Sequence, residues 1–332
     1  MSSWYGRLVR FSTVLALTVV VLGAYVRLSD AGLGCPDWPG CYGELIPTTI
    51  DNEAANQEFP ERPVEAGKAW REMVHRYIAA TLGFAIMLIA WIAWRSRHTI
   101  NQPVKIPLIT LAVVIFQGLL GMWTVTLLLK PVIVMGHLLG GLTTTGLLFW
   151  LLLEDQRNPV GGSAVVRRFP WPAGLAFIVL CCQIALGGWT SSNYAALACP
   201  DLPTCLGQWW PEQANFGEGF VMWRGLGINY EFGILEAPAR VAIHFVHRLG
   251  AITASVVLLL VTFHYWRRAQ RSPQLTTACY LVWAALVAQV CLGLATVYWG
   301  LPLAVATAHN GVAALLLLTM INLNHVTALL PD

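Results

Sequence analysis

Arg71-Glu72-Met73-Val74-His75-Arg76 opens a long apolar run. An acid, a histidine and two arginines stand where hydrocarbon begins, and ionisable groups there need a partner or a purpose. The pattern returns as Arg240-Val241-Ala242-Ile243-His244-Phe245-Val246-His247-Arg248, with His247 following His75 by 172 positions. His137 and His309 obey the same offset. Each half of the chain therefore carries two histidines 62 positions apart.

The 332 residues are 57% hydrophobic and 11% charged, against roughly 25% charged in soluble domains. This is the composition of an integral membrane protein. Apolar runs of about 20 residues predict eight spans, at 8–28, 71–94, 106–128, 132–153, 172–190, 240–264, 275–298 and 303–325. Arg7, Arg10, Arg95, Arg97, Lys105, Arg157, Arg167, Arg168, Arg267, Arg268 and Arg271 fall on one side, which the positive-inside rule makes cytoplasmic. Fourteen of the 17 acids lie in or beside the loops of the other side, so the net charge of +3 is no sign of nucleic-acid binding. Both termini are expected in the cytoplasm. The first span lacks a small-residue cleavage site and an Arg- and Ser-rich presequence, which points to a retained helix in a bacterial inner membrane with the loops periplasmic.

The repeat extends past the histidines. Gly23-Ala24-Tyr25-Val26-Arg27 leads to Cys35-Pro36-Asp37-Trp38-Pro39-Gly40-Cys41, and Gly187-Gly188-Trp189-Thr190-Ser191 leads to Cys199-Pro200-Asp201-Leu202-Pro203-Thr204-Cys205, at an offset of 164. Gln117 and Gln289 return to 172. The expected fold is all-α: two tandem four-helix bundles, 1–153 and 172–332, joined by a cytoplasmic linker at 154–171. An even number of spans per unit gives both halves one orientation, about a pseudo-twofold axis along the membrane normal. Outer loops fall at 29–69 and 191–239. The polar stretch 51–65 reads as solvated, whereas Trp209, Trp210, Phe216, Phe220, Trp223, Tyr230 and Phe232 suit an interfacial loop, a lid, or an ordinary aromatic belt.

Ligands of one metal share a level. His75 and His137 each lie five or six residues inside an inward-running span, about 8 Å below the helix ends at about 1.5 Å per residue, and His247 and His309 repeat this. A lone membrane histidine usually packs, but two depth-matched pairs suit the axial positions of a haem iron in a bundle core. A mononuclear zinc or copper site finds few further ligands, His244 in the second half alone. Arg76 and Arg248 suit propionates or outer-end anchoring.

Glu72 precedes His75 by one turn, and its counterpart is His244. A buried carboxylate must be protonated or face a cation, so Glu72 is a candidate acid, base or electrostatic stabiliser, with an ion pair to Arg71 or Arg76 as the plainer reading. Cys35 with Cys41 and Cys199 with Cys205 are spaced to close as disulfides, either stapling each loop or exchanging electrons with a partner. Cys181, Cys182, Cys279 and Cys291 read as packing residues; His98, His264 and His325 receive no role, and Gln117 and Gln289 serve helix contacts or a pocket.

The run from Gly23 to Cys41, the Glu72-x-x-His75-Arg76 helix start, His137, His247-Arg248 and His309 resemble the haem A synthase family over nearly all eight helices. The resemblance implies that the first half receives haem O through His75 and His137 with Glu72 near the reacting methyl. It further implies that the second half holds haem b through His247 and His309. The implied reaction oxidises the C8 methyl of haem O to a formyl group by two hydroxylations and loss of water. Haem O synthase and terminal-oxidase assembly factors are the implied partners; the electron acceptor and oligomeric state stay open. A di-haem electron carrier that modifies no haem shares the histidine pairs but gives Glu72 no reason to differ from His244. A duplicated solute transporter would need no haem.

Overall fold

A computed structural model describes residues 3–98, 103–155, 170–269 and 272–329. Most of the linker, with Arg157, Arg167 and Arg168, lies outside the described residues, as does Arg271. The helices are α1 (Ser3–Leu28), α2 (Asn52–Glu58), α3 (Ala66–Arg95), α4 (Lys105–Thr126), α5 (Pro131–Asp155), α6 (Trp171–Ser192), α7 (Phe216–Gly219), α8 (Ala237–Arg268), α9 (Pro273–Tyr298) and α10 (Leu303–Thr327). Eight of them, all but α2 and α7, are long and apolar enough to cross a membrane. Among the described residues no strand occurs, only isolated bridges Cys41 to Glu44 and Cys205 to Gln208.

Local chemistry marks the helix ends. Pro131 and Pro273 open α5 and α9, where a missing N–H costs nothing. Ser272 caps α9 by accepting the Leu275 N–H, and Asp51 caps α2 by accepting those of Glu53 and Ala54. Helices α3 and α8 begin earlier than the hydropathy indicates, at Ala66 and Ala237. His75 thus lies nine residues into α3, whereas His137 lies six into α5. The first turns of α3 and α8 are buried in the loops: Ala69 and Met73 against the Cys35–Cys41 loop, and Val241 and Phe245 against the Cys199–Cys205 loop.

Helix α1 packs on α3 and α5, and α4 closes the ring between α3 and α5. Helix α6 packs likewise on α8 and α10, with α9 closing that ring. The two rings meet where α5 touches α6 and α10, and α1 touches α10. The apolar cores occupy the end of each ring away from the long loops. Tyr5, Val9, Leu82, Ile86, Ile89, Leu148 and Leu151 fill the first, and Ala176, Leu180, Leu258, Leu275, Val282 and Met320 lie within the second. Phe84, Trp91, Ile115, Leu260 and Val287 are exposed on the outward faces, as hydrocarbon solvent requires. The loop ends of the rings are left for polar side chains.

Candidate functional site: two histidine pairs under disulfide-closed loops

In the first ring, His75 on α3 leans its Cε1 edge on Gly23 of α1, where a Cβ would sit 3.0 Å away; His137 on α5 leans on Gly121 of α4, at 3.4 Å. The second ring repeats this, His247 on Gly187 at 3.2 Å and His309 on Gly293 at 3.1 Å. A glycine at each contact lets the imidazole lie on the neighbouring backbone, which sets its direction. His75 and His137 are near enough for each to feel charge on the other, and so are His247 and His309. The Nδ1 atoms of His75, His137 and His309 are buried without a hydrogen-bond partner. The Gln289 side-chain Nε2 lies 3.2 Å from His309 Nε2, whereas Gln117 Nε2 is buried without a partner.

Glu72 is 5% exposed. Its Oε2 accepts the Cys35 N–H at 2.9 Å, and its Oε1 pairs with Arg76 Nη2 at 2.6 Å. Of the two cations weighed above, Arg76 is the partner; Arg71 donates instead to the Gly67 and Ser29 carbonyls. His244 stands in the same place in the second ring, with the Cys199 N–H 3.1 Å from Nδ1 and Arg248 Nε 3.3 Å from Nε2. A carboxylate accepts both neighbours, whereas a neutral imidazole accepts only one.

Arg76 also donates to the Asp37, Pro39 and Gly40 carbonyls. Arg248 does the same for Cys199, Asp201 and Thr204. Each arginine therefore ties its loop to the helix that carries the first histidine of the pair. Both cysteine pairs, Cys35–Cys41 and Cys199–Cys205, are disulfides; Cys181, Cys182, Cys279 and Cys291 are free thiols. Within each loop an aspartate anchors a turn in the left-handed region. Asp37 accepts the Tyr42 and Gly43 N–H groups, and Asp201 accepts those of Leu206 and Gly207. Gly43 and Gly207 have φ of +77° and +76°, which glycine adopts without strain. The Thr204 hydroxyl and the Gly207 N–H lower the pKa of the half-buried Asp201 carboxyl to about 2.

Several contributors escaped the sequence reading. The second outer loop reaches across to the first ring. Lys130, 2% exposed, donates to the Arg224 and Gly225 carbonyls at 2.6 and 2.8 Å and lies 3.7 Å from the Trp223 ring centroid. The Tyr230 N–H reaches the Leu128 carbonyl, Arg62 pairs with Glu231, and Arg27 donates to Ser191 O while stacking on Tyr194. Tyr230 is buried beside Leu33, Val125 and Leu129, whereas Trp209, Trp210, Trp223 and Phe232 stay exposed. His325, given no role above, bonds Glu154 at 2.9 Å and packs edge-on against Trp150. A lysine in a short turn and a histidine at a helix end carry no local signal of such distant partners.

Among the described residues no three His, Cys, Asp or Glu side chains gather as a metal site; the histidines meet in pairs. Fold and site together define a multi-pass helical membrane protein with two histidine pairs, the first histidine of each on a helix tied to a disulfide-closed loop. The chain belongs to the COX15-CtaA family, described as cytochrome oxidase assembly protein, whose family model matches residues 6–321. It is 45% identical to the Heme A synthase of Shewanella oneidensis over 321 residues, 96% of this chain and 95% of that one. It is 27% identical to the Heme A synthase of Halalkalibacterium halodurans, covering 93% of each chain. Identity to that of Caulobacter vibrioides is 28%, over 91% of this chain and 90% of the relative.

Proposed function

We propose that the protein is a haem A synthase, an oxidoreductase converting the C8 methyl of haem O to a formyl group. Two hydroxylations each add a water oxygen and give up two electrons and two protons to an acceptor. The resulting diol then loses water to leave the aldehyde. One observation carries the reading: in a chain 45% identical to a Heme A synthase, two matched sites differ by Glu72 standing where the other has His244. An ionised carboxylate at that place stabilises positive charge developing on the methyl carbon, in surroundings of low dielectric.

The donor set suits a haem in each half, since each ring brings two imidazoles from facing helices within electrostatic reach of one another. In this reading His75 and His137 of 1–153 would hold haem O, and His247 and His309 of 172–332 would hold haem b, with 154–171 as the linker. A haem b there supplies one-electron redox chemistry. Arg248, which faces the neutral His244 where Arg76 faces Glu72, would be free to pair with a haem propionate in the second half. The offsets of 164 and 172 support a pseudo-twofold axis along the membrane normal. The arginine distribution supports an orientation with both termini cytoplasmic and the disulfide loops on the opposite face, and the bacterial relatives support an inner membrane with those loops periplasmic. Haem O synthase and terminal-oxidase assembly factors are the partners this reaction calls for.

The test is expression in cells that make haem O but no haem A, followed by extraction and chromatography of haems. Haem A should appear; haems O and B alone would overturn the assignment.

A further inference from the structure

The two pockets differ at a second place, around the first histidine of each pair. Gln183 on α6 puts its side-chain Nε2 3.1 Å from His247 Nδ1 and 3.0 Å from the His247 carbonyl. Its Oε1 is buried without a partner. Gly250 makes room for this amide, because a Cβ there would sit 2.3 Å from Oε1. At the matching offsets the first half has Val19 and Ile78, and His75 Nδ1 is buried without a partner. An amide and the glycine that admits it are thus present in one half and replaced by two branched apolar side chains in the other.

We infer that Gln183 is a positioning residue whose amide fixes the orientation and proton of the His247 imidazole, so that the second pocket retains a haem while the first is built to release one. A neutral imidazole carries one N–H, and ligation of iron through Nε2 leaves that proton on Nδ1, which then needs an acceptor. The orphaned Oε1 is that acceptor. A turn of the Gln183 side chain, whose terminal torsion is broad and two-fold, brings Oε1 to Nδ1 and also has to carry it clear of the His247 carbonyl oxygen, which Nε2 now meets at 3.0 Å. The His247 carbonyl gives up the amide contact but lies inside α8, within the helix hydrogen-bond ladder. A fixed Nδ1–H to oxygen bond would hold the imidazole's orientation and make Nε2 a stronger donor to a bound iron, which favours the ferric state. His75 has no such support, as suits a ligand whose haem must leave as product.

This inference rests on the second pocket being a haem site, and the experiment separates the two. Purified full-length wild type, Gln183→Leu, Gln183→Glu and His247→Ala are compared by haem transfer to excess apomyoglobin and by redox titration of the retained haem. Gln183→Leu, matched in bulk but without an acceptor, should release haem about tenfold faster and show a higher midpoint potential. Gln183→Glu, which keeps an oxygen at the same reach, should restore slow release. Wild-type behaviour of Gln183→Leu, or equal leakage from Gln183→Glu, would overturn the role of the amide. Full haem retention by His247→Ala would instead overturn the pocket assignment on which it stands.

Discussion

The Glu72 carboxylate accepts the backbone N–H of Cys35 at 2.9 Å, so the residue in the disulfide also fixes the acid one turn from His75. Arg76 closes the arrangement from the other side, bonding Glu72 and three carbonyls of the same loop. Loop, acid and histidine helix form one unit, and disturbing any part should be felt at the others.

Glu72→Gln keeps an oxygen for the Cys35 N–H but removes the charge facing Arg76. The protein should fold and bind haem, while conversion of haem O to haem A falls by about a hundredfold or more, as for loss of an electrostatic stabiliser. Haem chromatography with parallel haem quantification checks both halves of the statement. Normal product formation would remove Glu72 from the chemistry.

Opening the first disulfide should cost more activity than opening the second, because only the first is tied to the acid. Cys35→Ser with Cys41→Ser and Cys199→Ser with Cys205→Ser each release a short closed loop, worth about 2 kcal/mol by the chain-entropy relation. Similar losses of thermal stability with a larger drop in turnover for the first pair are expected. Equal turnover in both variants would leave the disulfides as staples alone.

Lys130 latches the second outer loop to the first ring, with two carbonyl bonds and the Trp223 face sharing its charge. Lys130→Met fits the same space without the ammonium. It should loosen the loop locally by about 2 kcal/mol, the scale of bonds to a charged group. Faster hydrogen exchange at the Tyr230 amide, whose N–H bonds Leu128 O, with unchanged exchange in the cores, is the expected signature.

Acid should open the second disulfide loop only at low pH. Thr204, Gly207 and Leu206 hold the Asp201 carboxyl at about 2, below the ordinary 3.8. Its contribution is therefore complete above about 3.8 and disappears as the pH falls through about 2. Pepsin should cut within the loop much faster at pH 2 than at pH 4, and Asp201→Asn should already be cut several times faster at pH 4.

Much of this was legible in one dimension because hydrocarbon is a strict solvent. It demands about 20 apolar residues per span, so the runs gave eight helices, and histidines kept in such runs at fixed offsets gave the two histidine pairs. Cysteines six positions apart on the acid-rich side gave both disulfides. Helix starts were read too late at Ala66 and Ala237, since hydropathy senses the membrane and not the loop that buries a helix end above it. Glu72 was legible as an anomaly, and its choice of Arg76 over Arg71 was not.

By itself, then, the sequence determined the spans, the duplication and the residue types each half brings to its pocket, because periodicity and solvent impose these locally. Only the tertiary structure decided which glycine each imidazole rests on, that Gln183 serves His247 while nothing serves His75, and that the second loop crosses to Lys130 of the first half. Those relationships join residues 16 to 95 positions apart. Their hydrogen bonds are specified by where helices pass one another, which no local pattern encodes.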